Sequence, residues 1–164
     1  MKFISFNHDN SEKFGIIENN LITDLTGKID GASSLKELIK IKKIKEAKEY
    51  AKSNPGSIKP DEIKYSPLIP NPGKIICVGL NYSEHVKETN RTVEENPVIF
   101  HRFPESQTAH MQAIQRPTVS ESLDFEGEMA VVMDEGGKHI KPEDALKHIV
   151  GFSCYNESTI REWQ

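Results

Sequence analysis

Glu126 and Glu128 stand two apart in the run Leu123-Asp124-Phe125-Glu126-Gly127-Glu128-Met129-Ala130-Val131-Val132-Met133. The run is apolar and partly β-branched. It ends at the turn signal Asp134-Glu135-Gly136-Gly137, so a strand is predicted over residues 123–133. Side chains alternate along a strand, which puts the two carboxylates on one face with Gly127 between them. Adjacent carboxylates repel, and one pKa rises unless a cation sits between them. Oxygen donors of this kind suit Mg2+, Mn2+ or Ca2+. On spacing alone, two solvated glutamates on an exposed strand face are the plainer reading.

A second candidate lies upstream, in Asn81-Tyr82-Ser83-Glu84-His85-Val86-Lys87-Glu88. Asn81 with Glu84 has the capping-box pattern, so a helix is predicted to begin there. His85 and Glu88 then fall one turn apart on the same face. A carboxylate beside a histidine holds one tautomer and raises its basicity, which suits it to deprotonating water. An exposed His and Glu on an ordinary helix satisfy the same pattern. Arg102, in Pro97-Val98-Ile99-Phe100-His101-Arg102-Phe103, offers a bidentate fork to a substrate carboxylate. It reads equally as a surface arginine.

The elements that must position these groups follow from punctuation and periodicity. Pro67, Pro70, Pro72 and Gly73 mark a linker over residues 66–73. Ile75-Ile76-Cys77-Val78 reads as a buried strand, and 97–103 as the next one. After the central strand a helix is predicted, with Pro142 at its first position and Gly151 closing it. Ala145, Leu146 and Ile149 form its expected buried stripe. Residues 151–155 read as a further strand. Upstream, residues 1–65 form a small α/β unit. Strands are expected at 2–6, 14–18 and 21–25, the last two joined by an Asn19-Asn20 turn. Ser34 and Glu37 cap a helix that runs on, broken once, through Ala51. That unit carries no evident chemistry and reads as a lid, an oligomerisation element or a structural cap. Two parts are therefore expected: 1–65, and a functional part over 66–164.

Composition narrows the function classes. A net charge of -4 supplies no electrostatic reason to expect nucleic acid or an anionic membrane as a partner. The basic run Lys40-Ile41-Lys42-Lys43-Ile44-Lys45 is interleaved with isoleucines and reads as one face of an amphipathic helix. Nothing approaches a transmembrane length, and the N-terminus is too polar for a signal peptide. The two cysteines, Cys77 and Cys154, form no Cys-x-x-Cys pair. Buried free thiols in a reducing compartment are expected, with a cytoplasmic location and no zinc–thiolate site.

Taken together, these segments resemble the fumarylacetoacetate hydrolase family. The matching pieces stand in family order: Ile76 through Glu88, Pro97-Val98-Ile99-Phe100, Leu123 through Val132, Glu143-Asp144-Ala145-Leu146, Gly151-Phe152, and Asn156 through Gln164. The resemblance covers residues 66–164. It implies an α+β, β-rich fold with a rolled or sandwiched mixed sheet, as a homodimer. It also implies a metal-dependent enzyme acting on oxo acids. Family members cleave acylpyruvates and fumarylacetoacetate-like C–C bonds, decarboxylate oxaloacetate-like acids, or hydrate, isomerise and dehydrate related compounds. The resemblance places the metal carboxylates at Glu126 and Glu128, with a third at Glu157, and the cofactor as Mg2+, Mn2+ or Ca2+. It assigns the water-activating pair to His85 and Glu88, and it puts Arg102 near the substrate.

The pattern departs from the family in two ways. Glu157, after Asn156, stands where the aspartate of an Asn-Asp pair is usual, and one extra methylene moves a carboxylate by more than about an ångström. Relatives also continue beyond the position of Gln164, with further strands, a substrate-contacting lysine and a Gly-rich segment. The expectation is that this chain alone is poorly active. It would be a partial product, one half of a split enzyme associating with a C-terminal half, or a shortened binding protein for a divalent cation or an oxo acid. A purely structural subunit is the third class.

Overall fold

The computed structural model describes residues 1–82 and 95–164. By internal contacts the chain divides into two compact units, one of residues 1–68 with 108–164, the other of residues 69–107.

In the first unit, β1 (Lys2–His8), β2 (Ser11–Glu18) and β3 (Leu21–Asp24) make an antiparallel meander. β4 (Lys64–Tyr65) adds beside β1, for a sheet order β3-β2-β1-β4. Both hairpin turns are two residues long. Asp9, Asn10, Asn19 and Asn20 have φ of 53°, 58°, 50° and 61°. Positive φ at both central positions is the type I′ turn, whose twist matches that of the flanking strands. The polar stretch 7–13, expected to connect two short strands, is itself strand except for Asp9-Asn10, with His8 opposite Ser11. Ladder bonds use only backbone groups, so polar side chains do not end them.

Two helices follow, α1 (Leu35–Lys40) and α2 (Ile44–Ser53), separated by the expected single break, where Lys42 has φ 59°. Ser34 caps α1: its hydroxyl accepts the Glu37 N–H at 3.2 Å. The Glu37 carboxylate accepts the N–H of Ser33 at 2.8 Å rather than that of Ser34, so the box is slipped by one residue. The apolar core lies here. Phe6, Phe14, Ile16, Ile22, Leu25 and Leu38 are fully buried, together with Ala47 and Ala51 of α2. Each large side chain contributes about 1.5–3 kcal/mol by leaving water.

The same unit holds four more strands: β7 (Leu123–Asp124), β8 (Gly127–Met133), β9 (Ile149–Asn156) and β10 (Thr159–Ile160). β8 pairs antiparallel with β9, and β7 with β10. The second unit contains the antiparallel pair β5 (Ile75–Gly79) and β6 (Val98–Arg102) where two strands were expected, but β5 is not the buried strand the apolar run predicts: Ile76 is 61% and Val78 47% exposed. The chain is thus strand-rich and α+β, as the sequence predicts.

Three other local expectations are corrected. The run 123–133 is two strands rather than one, interrupted at Phe125-Glu126, because its two ends pair with different partners. The segment Pro142–His148 is a 3₁₀ turn, not an α-helix with a buried stripe: Leu146 is 76% exposed, and Ile149 opens β9. Gly151 lies inside β9. The strand takes over directly after His148, so the segment ends before a longer helix with a buried face can form. Finally, neither cysteine is buried. Neither is in a disulfide; Cys77 is partly exposed and Cys154 exposed.

Candidate functional site

The far end of the β8–β9 ladder is where the acidic residues gather. The last strand pair is Gly127 opposite Asn156. One step further out, the Glu157 N–H donates to the Glu126 carbonyl at 2.9 Å. The Glu126 N–H donates to the Asn156 side-chain oxygen at 3.0 Å. Glu126 and Glu157 are therefore tied together through their backbones. Glu157 is 8% exposed, the most enclosed of the three expected carboxylates. Glu128 sits one residue into β8, opposite Tyr155, and is half-buried.

Beyond Glu157 the chain folds back. Thr159 and Ile160 pair with Asp124 and Leu123, and the Arg161 N–H reaches the Ser122 carbonyl at 3.2 Å. This return delivers a guanidinium to the acidic stripe. Arg161 Nε lies 3.0 Å from Asp124 Oδ2, and one terminal nitrogen lies 2.7 Å from Glu126 Oε1. The same nitrogen donates to Gln164 Oε1 at 3.0 Å, and Gln164 Nε2 donates to Glu126 Oε1 at 3.3 Å. Both contacts to Glu126 use one oxygen. The Arg161 hydrogen bond, with the Phe125 N–H, holds the Asp124 carboxyl below the usual carboxylate range. The Ser122 and Ser120 hydroxyls do the same for Glu162.

A divalent cation can be tested against this arrangement. The donor chemistry fits: Glu126, Glu128 and Glu157 all offer hard carboxylate oxygens, and Glu157 is enclosed. The grouping is incomplete. Among the described residues no three His, Cys, Asp or Glu side chains stand close enough together to hold a metal ion. The positive charge on Glu126 is that of Arg161.

The remaining candidates fall elsewhere. Arg102 is the last residue of β6, opposite Ile75, in the second unit. His85 and Glu88 lie outside the described residues. Four contributors escaped the sequence reading: Asp124, Asn156, Arg161 and Gln164. One signal was available. Acids at the alternating positions 124, 126 and 128 demand a counter-charge on a partner strand. Arg161 is the only Lys or Arg in residues 149–164, the segment that partners them.

A sequence model of the family described as "Fumarylacetoacetate (FAA) hydrolase C-terminal" matches residues 74–164. "Oxaloacetate tautomerase fahd2, mitochondrial" from Xenopus laevis is 38% identical over 118 residues, 72% of this chain and 37% of that protein. The human protein "Oxaloacetate tautomerase FAHD2A, mitochondrial" is 38% identical over 103 residues, 63% of this chain and 33% of its own. The matches thus take in about a third of the length of these curated relatives. Among solved structures, a fumarylacetoacetate hydrolase from Exiguobacterium antarcticum superposes with a TM-score of 0.82 at 28% identity, over 100% of this chain and 58% of that one. A maleylpyruvate hydrolase from Sphingobium, in complex with manganese (II) ion and pyruvate, superposes with a TM-score of 0.79 at 19% identity, over 98% of this chain and 60% of that one.

Proposed function

Because the chain belongs to the fumarylacetoacetate hydrolase family, we propose that it supplies the metal-holding part of an enzyme for 2-oxo acids or 1,3-dicarbonyl acids. Residues 66–164 carry that chemistry in this reading, and residues 1–65 are accessory. The observation that carries it is the tie between Glu126 and Glu157 at the end of β8–β9, with Glu157 enclosed. In this reading Glu126, Glu157 and Glu128 would hold a divalent cation, with the Glu126 carboxylate leaving Arg161 to do so. A manganese ion in the maleylpyruvate hydrolase relative supports a cation of this class, and Mg2+ and Ca2+ share its preference for oxygen.

Bound there, the cation supplies Lewis-acid stabilisation of the oxygen of an enolate. His85 takes the proton, from the carbon beside the oxo group in a tautomerisation or from water in a C–C hydrolysis, and Glu88 orients its ring. Arg102 receives the substrate carboxylate. The relatives' names include a tautomerase and a hydrolase of oxo acids. Both reactions pass through an enol or enolate, and so do the hydrolase and lyase chemistries the sequence suggests. For partners we propose a second copy of the chain, or a segment equivalent to the part of the relatives outside the match. Either covers the exposed side chains of Met129 and Phe152. Two cysteines outside any disulfide support a reducing compartment, the cytoplasm or the mitochondrial interior that the relatives' names point to. No helix among the described residues is long and apolar enough to cross a membrane.

Calorimetry with Mn2+ and Mg2+, alongside turnover of oxaloacetate enol and of an acylpyruvate, tests the reading. Metal binding that Glu126→Ala abolishes, with turnover that His85→Ala also abolishes, is the expected result. Metal binding without any turnover favours a non-catalytic binding module. Absence of metal binding in the unaltered chain overturns both.

A further inference from the structure

The last rung of the β8–β9 ladder is asymmetric. Two directly opposed residues of an antiparallel pair can exchange two N–H···O=C bonds. Glu126 and Glu157 make one of them, from Glu157 N to Glu126 O at 2.9 Å. The reciprocal donor, the Glu126 N–H, goes instead to the Asn156 side-chain oxygen at 3.0 Å. The chain has a reason to leave the ladder here. Only two residues after Glu157, Thr159 is already paired with Asp124 on β7. A backbone that turns away at 157 carries its carbonyl with it, whereas a side-chain oxygen from the preceding residue still reaches.

We propose that Asn156 is a positioning residue whose side-chain oxygen replaces the Glu157 carbonyl. It keeps the Glu126 backbone opposite Glu157 while the chain departs toward β10. Its consequence for a cation rests on the metal reading above; the rung itself does not. Without the acceptor, the Glu126 N–H has no protein partner and the spacing between the two glutamates loosens. Aspartate keeps an oxygen in the same place, so Asn156→Asp retains the rung and Asn156→Ala loses it.

The test uses the full 164-residue chain. NMR hydrogen exchange is read at the Glu126 amide, and Mn2+ affinity by calorimetry. The expected result is a protected Glu126 amide in the unaltered chain and in Asn156→Asp. In Asn156→Ala, exchange is faster and Mn2+ affinity about tenfold or more weaker, the size of effect found for residues that orient metal ligands. Unchanged exchange at Glu126 in Asn156→Ala overturns the proposal. So does faster exchange in Asn156→Asp, the variant that decides if the alanine variant fails to fold. A chain that binds no Mn2+ overturns the metal reading alone, and the exchange rates still decide the rung.

Discussion

Arg161 is the charge that the acidic stripe of Asp124, Glu126 and Glu128 requires. Its fork spans two of the three carboxylates, and only a planar guanidinium offers donors at that spacing. Asp124 is lowered by this contact first of all. A depressed carboxyl contributes stability that is present above its unfolded value of about 3.9 and is lost as pH falls through its lower folded value. Arg161→Met is therefore expected to raise the Asp124 pKa toward the ordinary range and to remove that acid-side pH dependence. Arg161→Lys restores only part, because a single ammonium cannot bridge both acids. NMR titration of the Asp124 carboxyl carbon reads both variants, and an unshifted Asp124 in Arg161→Met contradicts the assignment. At this scale the sequence exposed Glu126 and Glu128 through their spacing and Glu157 through family likeness. Arg161 and Asn156 act across the ladder, and no local pattern announces them.

At the scale of elements, the strands with turn chemistry at their ends were legible and the short helical segment was not. Asn19-Asn20 closes a hairpin because asparagine tolerates positive φ, a property of the residue itself. Pro142 with acids after it and Lys147-His148 before the end carries every mark of a helix. Those marks act on termini, and they do not decide whether a third turn of chain is available before a strand begins. Gly15 shows the opposite dependence. A Cβ there would run into the Thr23 carbonyl oxygen, on the neighbouring strand β3. Gly15→Ala is thus expected to cost about 1–3 kcal/mol, as overpacking against an immobile neighbour does. Urea unfolding measures it, and a loss below about 0.5 kcal/mol speaks against the close β2–β3 approach.

For the molecule as a whole, the apolar core and the candidate site lie in different stretches of the chain. The large buried side chains come from residues 6–38, whereas the β8–β9 hairpin exposes Met129, Val131, Met133 and Phe152. Phe6→Ala is expected to remove about 3–5 kcal/mol, enough to unfold a marginal chain. Thermal melting by circular dichroism tests it; a variant that melts with the unaltered chain shows that the core is not where stability resides.

The sequence by itself determined the strand-rich class, the Asn19-Asn20 hairpin turn, the α1 cap and the family, because each depends on residues near one another or on their order. Only the tertiary structure decided that the central run is two strands, that Glu126 is opposed to Glu157, and that Arg161 returns to bridge Asp124 and Glu126. Those relations are set by pairing register between segments some thirty residues apart, and register is a property of the partners together rather than of either strand.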